Sequence, residues 1–169
     1  CNGDKSFEIW SPYQSMEIVN RYNNFHRFSE GDLYAGTKAC QKGSNGVIGL
    51  KVKSKIIKNI ETEIHPQLLK RVSGQSKWGA YKYIPAVYKL GHRTTKEHLF
   101  DLAFCSIILE PFQESKIEKG FVISNHSNNF NIEKIDLNQK LRKKVLNVFL
   151  NLNEYLKKPI PEITKDRKK

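Results

Sequence analysis

The sequence predicts an α/β fold in which helices flank a mixed central β-sheet, because two different periodicities alternate along the chain. Apolar and polar residues alternate through "GVIGLKVKSKII", where Ile48, Leu50 and Val52 share one side, as in a half-buried strand. "TTKEHLFDLAFCSIILEP" is apolar around most of a helix, and "DLNQKLRKKVLNVFLNLNEYL" is apolar along one stripe. Strand patterns therefore lie before, between and after helix patterns, which favours a sheet with helices packed against it.

Two helices are predicted before the first strand. Apolar residues one helical turn apart predict the first within "SMEIVNRYNNFHRF", at Met16, Val19, Tyr22 and Phe25. The second spans about residues 33–41 and ends in the turn between Gly43 and Gly46. Residues 1–30 carry the weakest pattern of the chain.

Five further strands are predicted. "KNIETEI" is short, and "QLLKRV" and "AYKYIPAVYK" flank the turn "SGQSKWG" as a β-hairpin. Pro85 in the second arm indicates an edge strand or a bulge, since proline cannot donate to a ladder. "GFVIS" and "FNIEKI" are two more strands joined by a polar turn.

The ends of the two long helices have recognisable signals. Thr94 and Glu97 predict a capping box for the first, and Pro111 is expected to follow its last residue. Asp136 and Gln139 are predicted to cap the second, which begins with the basic run "KLRKKV". Its apolar stripe is expected to face one way, along Leu141, Val145, Val148, Leu152 and Tyr155.

Length and charge limit the classes of protein. The 169 residues suffice for a single domain over 1–169, and both ends look cut, so a longer parent chain is expected. The longest apolar runs are too short to span a bilayer and no signal peptide is visible, so a cytoplasmic protein without membrane contact is expected. The net charge of +12 predicts binding to nucleic acid; the alternative is a solvated basic surface balanced by an acidic partner.

Several stretches, taken in order, resemble the RecB-like nucleases of the PD-(D/E)xK superfamily, close to the CRISPR-associated RecB-like exonucleases. The matching stretches cover roughly residues 30–169: "EGDLYAGTKAC", "HPQLLKRVSGQSKWGAYKYIPAVYKLG", "TTKEHLFDLAFCSIILE", "KGFVISNHS" and "KKPIPEITKDRKK". The resemblance implies a restriction-endonuclease-like core, and DNA as the first expectation for the substrate. An attached helicase or a protein partner would fit the same family.

The resemblance also implies which positions should carry the chemistry. In such families an acid after a proline, and an acid two residues before a lysine on the next strand, bind a divalent metal. Here those positions are Gln67, Val87 and Lys89, so both acids are missing and the metal site is expected to be degenerate. On the following helix, Asp101 and Cys105 stand where the family often has glutamine and tyrosine.

Cofactors follow from the same resemblance. Mg²⁺ or Mn²⁺ would be needed only if the site is active, with carboxylates recruited from elsewhere, such as Glu30, Asp32, Asp101 or Glu110. An iron–sulfur cluster would require cysteines beyond residue 169. His92, Glu97 and His98 lack the spacing of a metal site, and Cys40 and Cys105 are expected to be core residues.

Basic and aromatic residues interleave along the predicted hairpin, which suits contact with phosphates and bases. The candidate nucleic-acid-binding residues are Lys70, Arg71, Lys77, Trp78, Lys82 and Arg93. Packing is the alternative role for the aromatic residues, and it is favoured for Tyr81 and Tyr83. Three functions stay open: a nuclease-like domain that binds nucleic acid without a metal site, an active divergent nuclease, and a non-catalytic interaction module.

Overall fold

A computed structural model describes residues 9–11, 25–27, 35–89, 93–126 and 129–159. Strands and helices alternate along these residues in the following order: β1 (Ile9–Ser11), β2 (Phe25–Arg27), α1 (Ala35–Lys42), β3 (Gly46–Val47), β4 (Val52–Ser54), β5 (Thr62–Ile64), β6 (Leu68–Ser76), β7 (Gly79–Lys89), α2 (Lys96–Gln113), β8 (Lys119–His126), β9 (Asn129–Asp136) and α3 (Gln139–Leu156).

The main sheet is mixed, as predicted. Its strand order is β2-β1-β3-β6-β7-β8-β9, while β4 and β5 form a separate antiparallel pair. Strand β7 is antiparallel to β6 and parallel to β8, and β8 and β9 form an antiparallel hairpin. The α/β prediction is therefore confirmed, with α2 forming the crossover between the parallel strands β7 and β8.

One face of the sheet is covered by helices. Cross-strand register places Val87 beside Val122, and Val122 beside Glu133, so these side chains share that face. Gly120 lies on the same face, and a Cβ there would come within 3.0 Å of Leu102 on α2. We call this the helix-covered face. A glycine at position 120 therefore lets α2 approach the sheet closely.

Hydroxyl groups of β7 anchor α1 to the same face. The Tyr81 hydroxyl donates to the Cys40 carbonyl oxygen at 2.8 Å, and the Tyr83 hydroxyl donates to that of Ser44 at 2.6 Å. The first bond reaches a carbonyl in the last turn of α1, which has no partner within the helix, and the second reaches the turn that follows α1. The predicted helix at residues 33–41 is confirmed from Ala35 onward, and residues 33 and 34 lie outside the described ranges.

A buried glutamine completes the part of β7 that β8 does not reach. Strand β8 pairs with β7 only from Ala86 to Lys89. Further back, the Gln113 amide accepts from the Tyr83 N–H and donates to the Tyr83 carbonyl, both at 2.9 Å. Gln113 is only 1% exposed, so α2 replaces a strand here and leaves neither backbone group unpaired.

The strand predicted through "GVIGLKVKSKII" is wrong as one continuous element. The alternating burial holds, since Ile48, Leu50 and Val52 are buried and Lys51 and Lys53 are exposed. However, β3 belongs to the main sheet and β4 to the small one. Strand β3 ends at Val47, and the chain then turns at Gly49, whose φ of 81° is readily adopted only by glycine.

Pro85 lies within a central strand, which corrects the prediction of an edge or a bulge. It pairs with Leu69 in regular register, and it directly precedes Ala86, where the β8 ladder begins. The backbone N–H and C=O positions of successive residues point alternately to the two neighbouring strands. Those of Pro85 therefore point towards β8, as those of Tyr83 do. Its missing N–H therefore falls just outside the β7–β8 ladder, and no ladder bond is lost.

Both predicted helix caps are wrong by a residue or two. Thr95 is the N-cap of α2, and its N–H donates to His98 Nδ1 at 3.0 Å. Pro111 lies inside the last turn of α2, which ends at Gln113. Asn138 is the N-cap of α3, where its Oδ1 accepts from the Leu141 N–H at 3.0 Å.

Two further predictions have mixed outcomes. Phe25–Arg27 is strand, so the helix predicted within "SMEIVNRYNNFHRF" is wrong at its end, and its other residues lie outside the described ranges. On α3, Val145 is buried, but the remainder of the predicted stripe is largely exposed at Val148, Leu152 and Tyr155. No helix among the described residues is long and apolar enough to cross a membrane.

Candidate functional site

The motif-matched positions meet where the β6–β7 hairpin opens. Because Leu68 is paired with Ala86, continuing the ladder by one residue would place Gln67 opposite Val87. Val87 and Lys89 are two residues apart on one strand, so their side chains share the helix-covered face. The local geometry thus brings together the three positions that the resemblance singled out, although only Lys89 carries a charge.

Gln67 is used to support the backbone. Its Oε1 accepts from the Tyr88 N–H at 2.8 Å, which continues the β6–β7 hydrogen bonding just beyond the first residue of β6. The oxygen that could have bound a cation is therefore already an acceptor within the hairpin. A glutamine at this position stabilises the open end of the hairpin without any metal.

Val87 is part of the hydrophobic core. It is 5% exposed and belongs to the same buried cluster as Val122 and Leu102. A carboxylate here would have to be removed from water, which is costly unless a cation or hydrogen-bond donors compensate for it. The valine side chain at this position serves hydrophobic packing.

Lys89 ends β7 as a buried lysine with polar neighbours. It is 6% exposed and lies in register with the buried Ser124 of β8. Its Nζ donates to Thr94 Oγ1 at 3.3 Å and lies 3.8 Å from Glu133 Oε2. Thr94 Oγ1 in turn donates to Glu133 Oε2 at 2.7 Å, so the three side chains form one connected group. We call Lys89, Thr94 and Glu133 the lysine cluster.

The lysine cluster lies at the carboxyl ends of the parallel strands β7 and β8, where α/β sheets usually place ligands. Glu133 already offsets the charge of Lys89. An anion would therefore have to displace Glu133 to gain the full attraction of the ammonium group.

The described residues do not fit a divalent metal. They contain no group of three histidine, cysteine, aspartate or glutamate side chains that could hold one ion. Of the other carboxylates considered, Glu110 bonds to Arg142 at 2.7 Å and accepts from the Ile117 N–H at 2.8 Å. Glu30, Asp32 and His92 lie outside the described residues.

Asp101 and Cys105 lie one turn apart on α2. Asp101 is exposed, yet the protein atoms around its carboxyl partly desolvate it and raise its pKa; the charge of His98 opposes this effect and that of Glu97 adds to it. Burial, with Asp101 as a second cause, raises the pKa of the Cys105 thiol to about 12. Cys40 is fully buried and burial likewise raises its pKa to about 12. At neutral pH both thiols are thus protonated and poor nucleophiles, and Cys40 is a core residue as predicted.

Most of the chain's excess positive charge is concentrated in one region. Residues 35–96 contain thirteen lysines and arginines against two glutamates, a net charge of +11 out of the +12 of the whole sequence. Residues 64–96 contain no acidic residue at all. This region comprises α1 and β3 to β7, so these elements carry most of the net positive charge of the chain.

The cations of the hairpin are held by carbonyl groups and aromatic rings. Arg71 donates to the Gly43 carbonyl at 2.5 Å, and Lys82 donates to that of Lys116 at 2.7 Å. Lys70 Nζ lies 4.9 Å from the centroid of the Phe121 ring, and Lys77 Nζ lies 4.8 Å from that of Phe112. Within the described part of the chain, none of these four cations forms an ion pair with a carboxylate. Their charge is therefore available to an external anion.

The aromatic residues of the hairpin serve packing. Tyr83 is 1% exposed and Tyr81 is half-buried, which confirms the packing alternative for both. Trp78 is half-buried as well, with its ring edge-on to Phe112 at 5.6 Å and to Tyr83 at 6.1 Å. Lys77 lies over the Trp78 ring at 5.2 Å. Trp78 therefore lacks an open face on the side that Lys77 occupies.

The six candidate binding residues do not form one patch. Lys77 and Trp78 lie at the closed end of the hairpin, whereas Arg93 follows its open end, a separation of roughly 30 Å for a strand of this length. Lys70 and Arg71 point to opposite faces of the sheet because they are consecutive in β6. A polyanion would have to run along the hairpin to reach all of them.

The basic residues at the start of α3 have two different roles, since one makes structural contacts and the others are exposed to solvent. Arg142 contacts the Leu137 carbonyl at 3.0 Å, the Ile117 carbonyl and Glu110, and so ties α3 to α2 and β8. Lys140, Lys143 and Lys144 are exposed.

Comparison with known proteins gives no match. No family model matches the sequence, and no curated protein matches it significantly. The candidate site must therefore be judged on its own residues.

Two important residues were missed from the sequence. Glu133 lies in "FNIEKI" and comes near Lys89 only through the register of β7, β8 and β9. Gln113 lies beyond the end that was predicted for the apolar helix, yet it completes β7. No local signal in the sequence marks Gln113, because the polar residues Glu114, Ser115 and Lys116 follow it directly.

Proposed function

We propose that this chain is a nucleic-acid-binding domain, with DNA as the first candidate ligand, built on a RecB-like PD-(D/E)xK core whose metal site is lost. The observation that carries the binding proposal is the charge of residues 35–96, which have a net +11 and lack acidic residues from position 64 to 96. The four hairpin cations among them have no described carboxylate partner. Such a field attracts the phosphate backbone regardless of sequence.

The loss of the metal site is supported by what occupies its positions. The Gln67 oxygen accepts from the backbone of β7, and Val87 is in the core. A restriction-endonuclease-like core is part of the same proposal. It is supported by a mixed sheet in which the hairpin places positions 67, 87 and 89 together.

Salt dependence is the test of binding. Fluorescence anisotropy with a labelled DNA of about 20 nucleotides, single- or double-stranded, should show affinity that falls steeply between roughly 50 and 200 mM salt. Replacing Lys70 or Lys77 by alanine should reduce the slope of log affinity against log salt by about one for each phosphate that the substitution leaves unneutralised.

A matched control is available on β4. Lys53 is also an exposed lysine, but it lies 3.6 Å from Glu63, which Lys51 shares, so its charge is only partly offset. Lys53→Ala should therefore reduce the slope less than Lys70→Ala or Lys77→Ala does. Absent or salt-insensitive binding would instead favour a non-catalytic interaction module.

An active divergent nuclease is the second candidate, because Lys89 retains a carboxylate, Glu133, at 3.8 Å. Incubation of DNA with Mg²⁺ or Mn²⁺ separates the two functions. For a domain without a metal site, we expect neither nicking nor degradation. Metal-dependent cleavage that disappears in Lys89→Ala would refute the proposal.

A further inference from the structure

A cavity of about 480 Å³ lies between α3 and the turn that follows β4. It is far from the open end of the hairpin in sequence, and none of the candidate binding or catalytic residues lines it. Its size falls within the range of small-molecule sites. Its walls contain amide, cationic, carboxylate and aliphatic side chains, and most of the lining residues are exposed to solvent.

The α3 wall presents two free amides. Asn147 and Asn151 are one turn apart on the same face of the helix, with Leu150 and Glu154 beside them. Within the described part of the chain, neither amide side chain has a hydrogen-bond partner. Each therefore has both a donor and an acceptor to offer a ligand.

The opposite wall is a fixed turn. Ile57 is 6% exposed and its carbonyl accepts from the Ile60 N–H at 2.8 Å, which anchors the turn in the core. Between them, Lys58 and Asn59 have φ angles of 44° and 61°, in the left-handed region. This conformation is uncommon for residues other than glycine. Lys58 and Ile60, on either side of Asn59, both line the cavity.

The chemistry of the lining selects among ligand classes. A metal is excluded by the single carboxylate of Glu154, which already lies 3.7 Å from Lys157. A purely apolar ligand would leave the two amides unpaired. A nucleotide fits best, because amides pair with base edges, Leu150 and Ile60 offer aliphatic contact to the base face, and Lys58 can meet a phosphate.

We infer that this cavity is a subsite for one unstacked nucleotide of a bound single strand. The inference rests on the proposed function, since it assumes that the chain binds nucleic acid. It adds a place where one base is read by Asn147 and Asn151 instead of being held only by its phosphate.

The test uses a single-stranded oligonucleotide containing one 2-aminopurine, whose fluorescence rises when the base leaves its stack. Binding to the full chain should raise the fluorescence. The double variant Asn147→Ala/Asn151→Ala should abolish most of this rise and weaken binding about tenfold, as expected when one base is no longer recognised. Asn131→Ala, an exposed asparagine on β9, is the matched control and should behave as the parent protein.

The outcomes distinguish the two proposals. Salt-dependent binding without a fluorescence rise, or with the same rise in the double variant, refutes the subsite and leaves nucleic-acid binding standing. A failure to bind any oligonucleotide refutes the proposed function and the subsite with it. Unchanged urea midpoints of the variants establish that the effect does not come from unfolding.

Discussion

Gln113 offers the sharpest test of how the central strand is held. Substitution by leucine keeps the approximate size of the side chain but removes both hydrogen bonds to Tyr83, each 2.9 Å long. The site is 1% exposed, so water cannot replace them. Leaving a buried donor or acceptor unpaired costs about 1–3 kcal/mol each, so Gln113→Leu should lower the free energy of unfolding by roughly 2–5 kcal/mol.

Urea denaturation followed by circular dichroism measures this decrease. Gln75→Leu is the matched control, because Gln75 is exposed and its one hydrogen bond, to the Ser76 carbonyl, is long at 3.5 Å. The control should change stability by less than about 0.5 kcal/mol, as is usual for surface positions. If Gln113→Leu stays within about 1 kcal/mol of the parent, α2 does not complete β7 through this side chain.

Two further predictions concern the motif positions. Val87→Asp should lower the free energy of unfolding by roughly 3–5 kcal/mol, because it buries a charge that has no metal partner, and added Mg²⁺ should not restore the stability. A decrease under about 1 kcal/mol in urea denaturation would contradict the packing role of Val87. Asp101→Asn should stabilise the protein at neutral pH, because a raised folded-state pKa means that ionisation of Asp101 opposes folding. The stability advantage of Asp101→Asn should grow as pH rises through the folded-state pKa and should vanish below the ordinary value of 3.8. Urea midpoints measured at several pH values test this, with Asp136→Asn as an exposed control. A stability difference that does not change with pH would refute the prediction.

Local patterns predicted the fold well where the contacts are local. The β6–β7 hairpin joins neighbouring segments across the short turn "SGQSKWG", so alternation and turn residues together specified it. Alternating burial was also right from Ile48 to Lys53. The alternation of apolar residues indicates which side of a strand is buried, but it does not indicate which strand pairs with it. The division of "GVIGLKVKSKII" between two sheets could therefore not be predicted from the sequence.

The candidate site was harder, because its geometry depends on pairing between distant segments. Lys89 and Ser124 are neighbours only because α2 carries the chain across to a parallel strand, and Glu133 then arrives through the β8–β9 hairpin. No spacing in the sequence encodes that meeting. Thr94 is a second example of a contact that the sequence did not predict. It was predicted to cap α2, but its hydroxyl donates to Glu133, and Thr95 is the N-cap.

The lysine cluster decides how Lys89 should be understood. A lysine removed from water needs compensation, and Glu133 and Thr94 supply a charge and a hydroxyl on the helix-covered face. A nuclease lysine acts beside carboxylates that hold a metal, whereas here the carboxylate near Lys89 is bonded to Thr94 and comes from a different strand than the motif positions. The same three side chains link the end of β7, the approach to α2 and the edge strand β9. Val87 serves packing and Gln67 supports the backbone, so Lys89 is best explained by this link between the three elements.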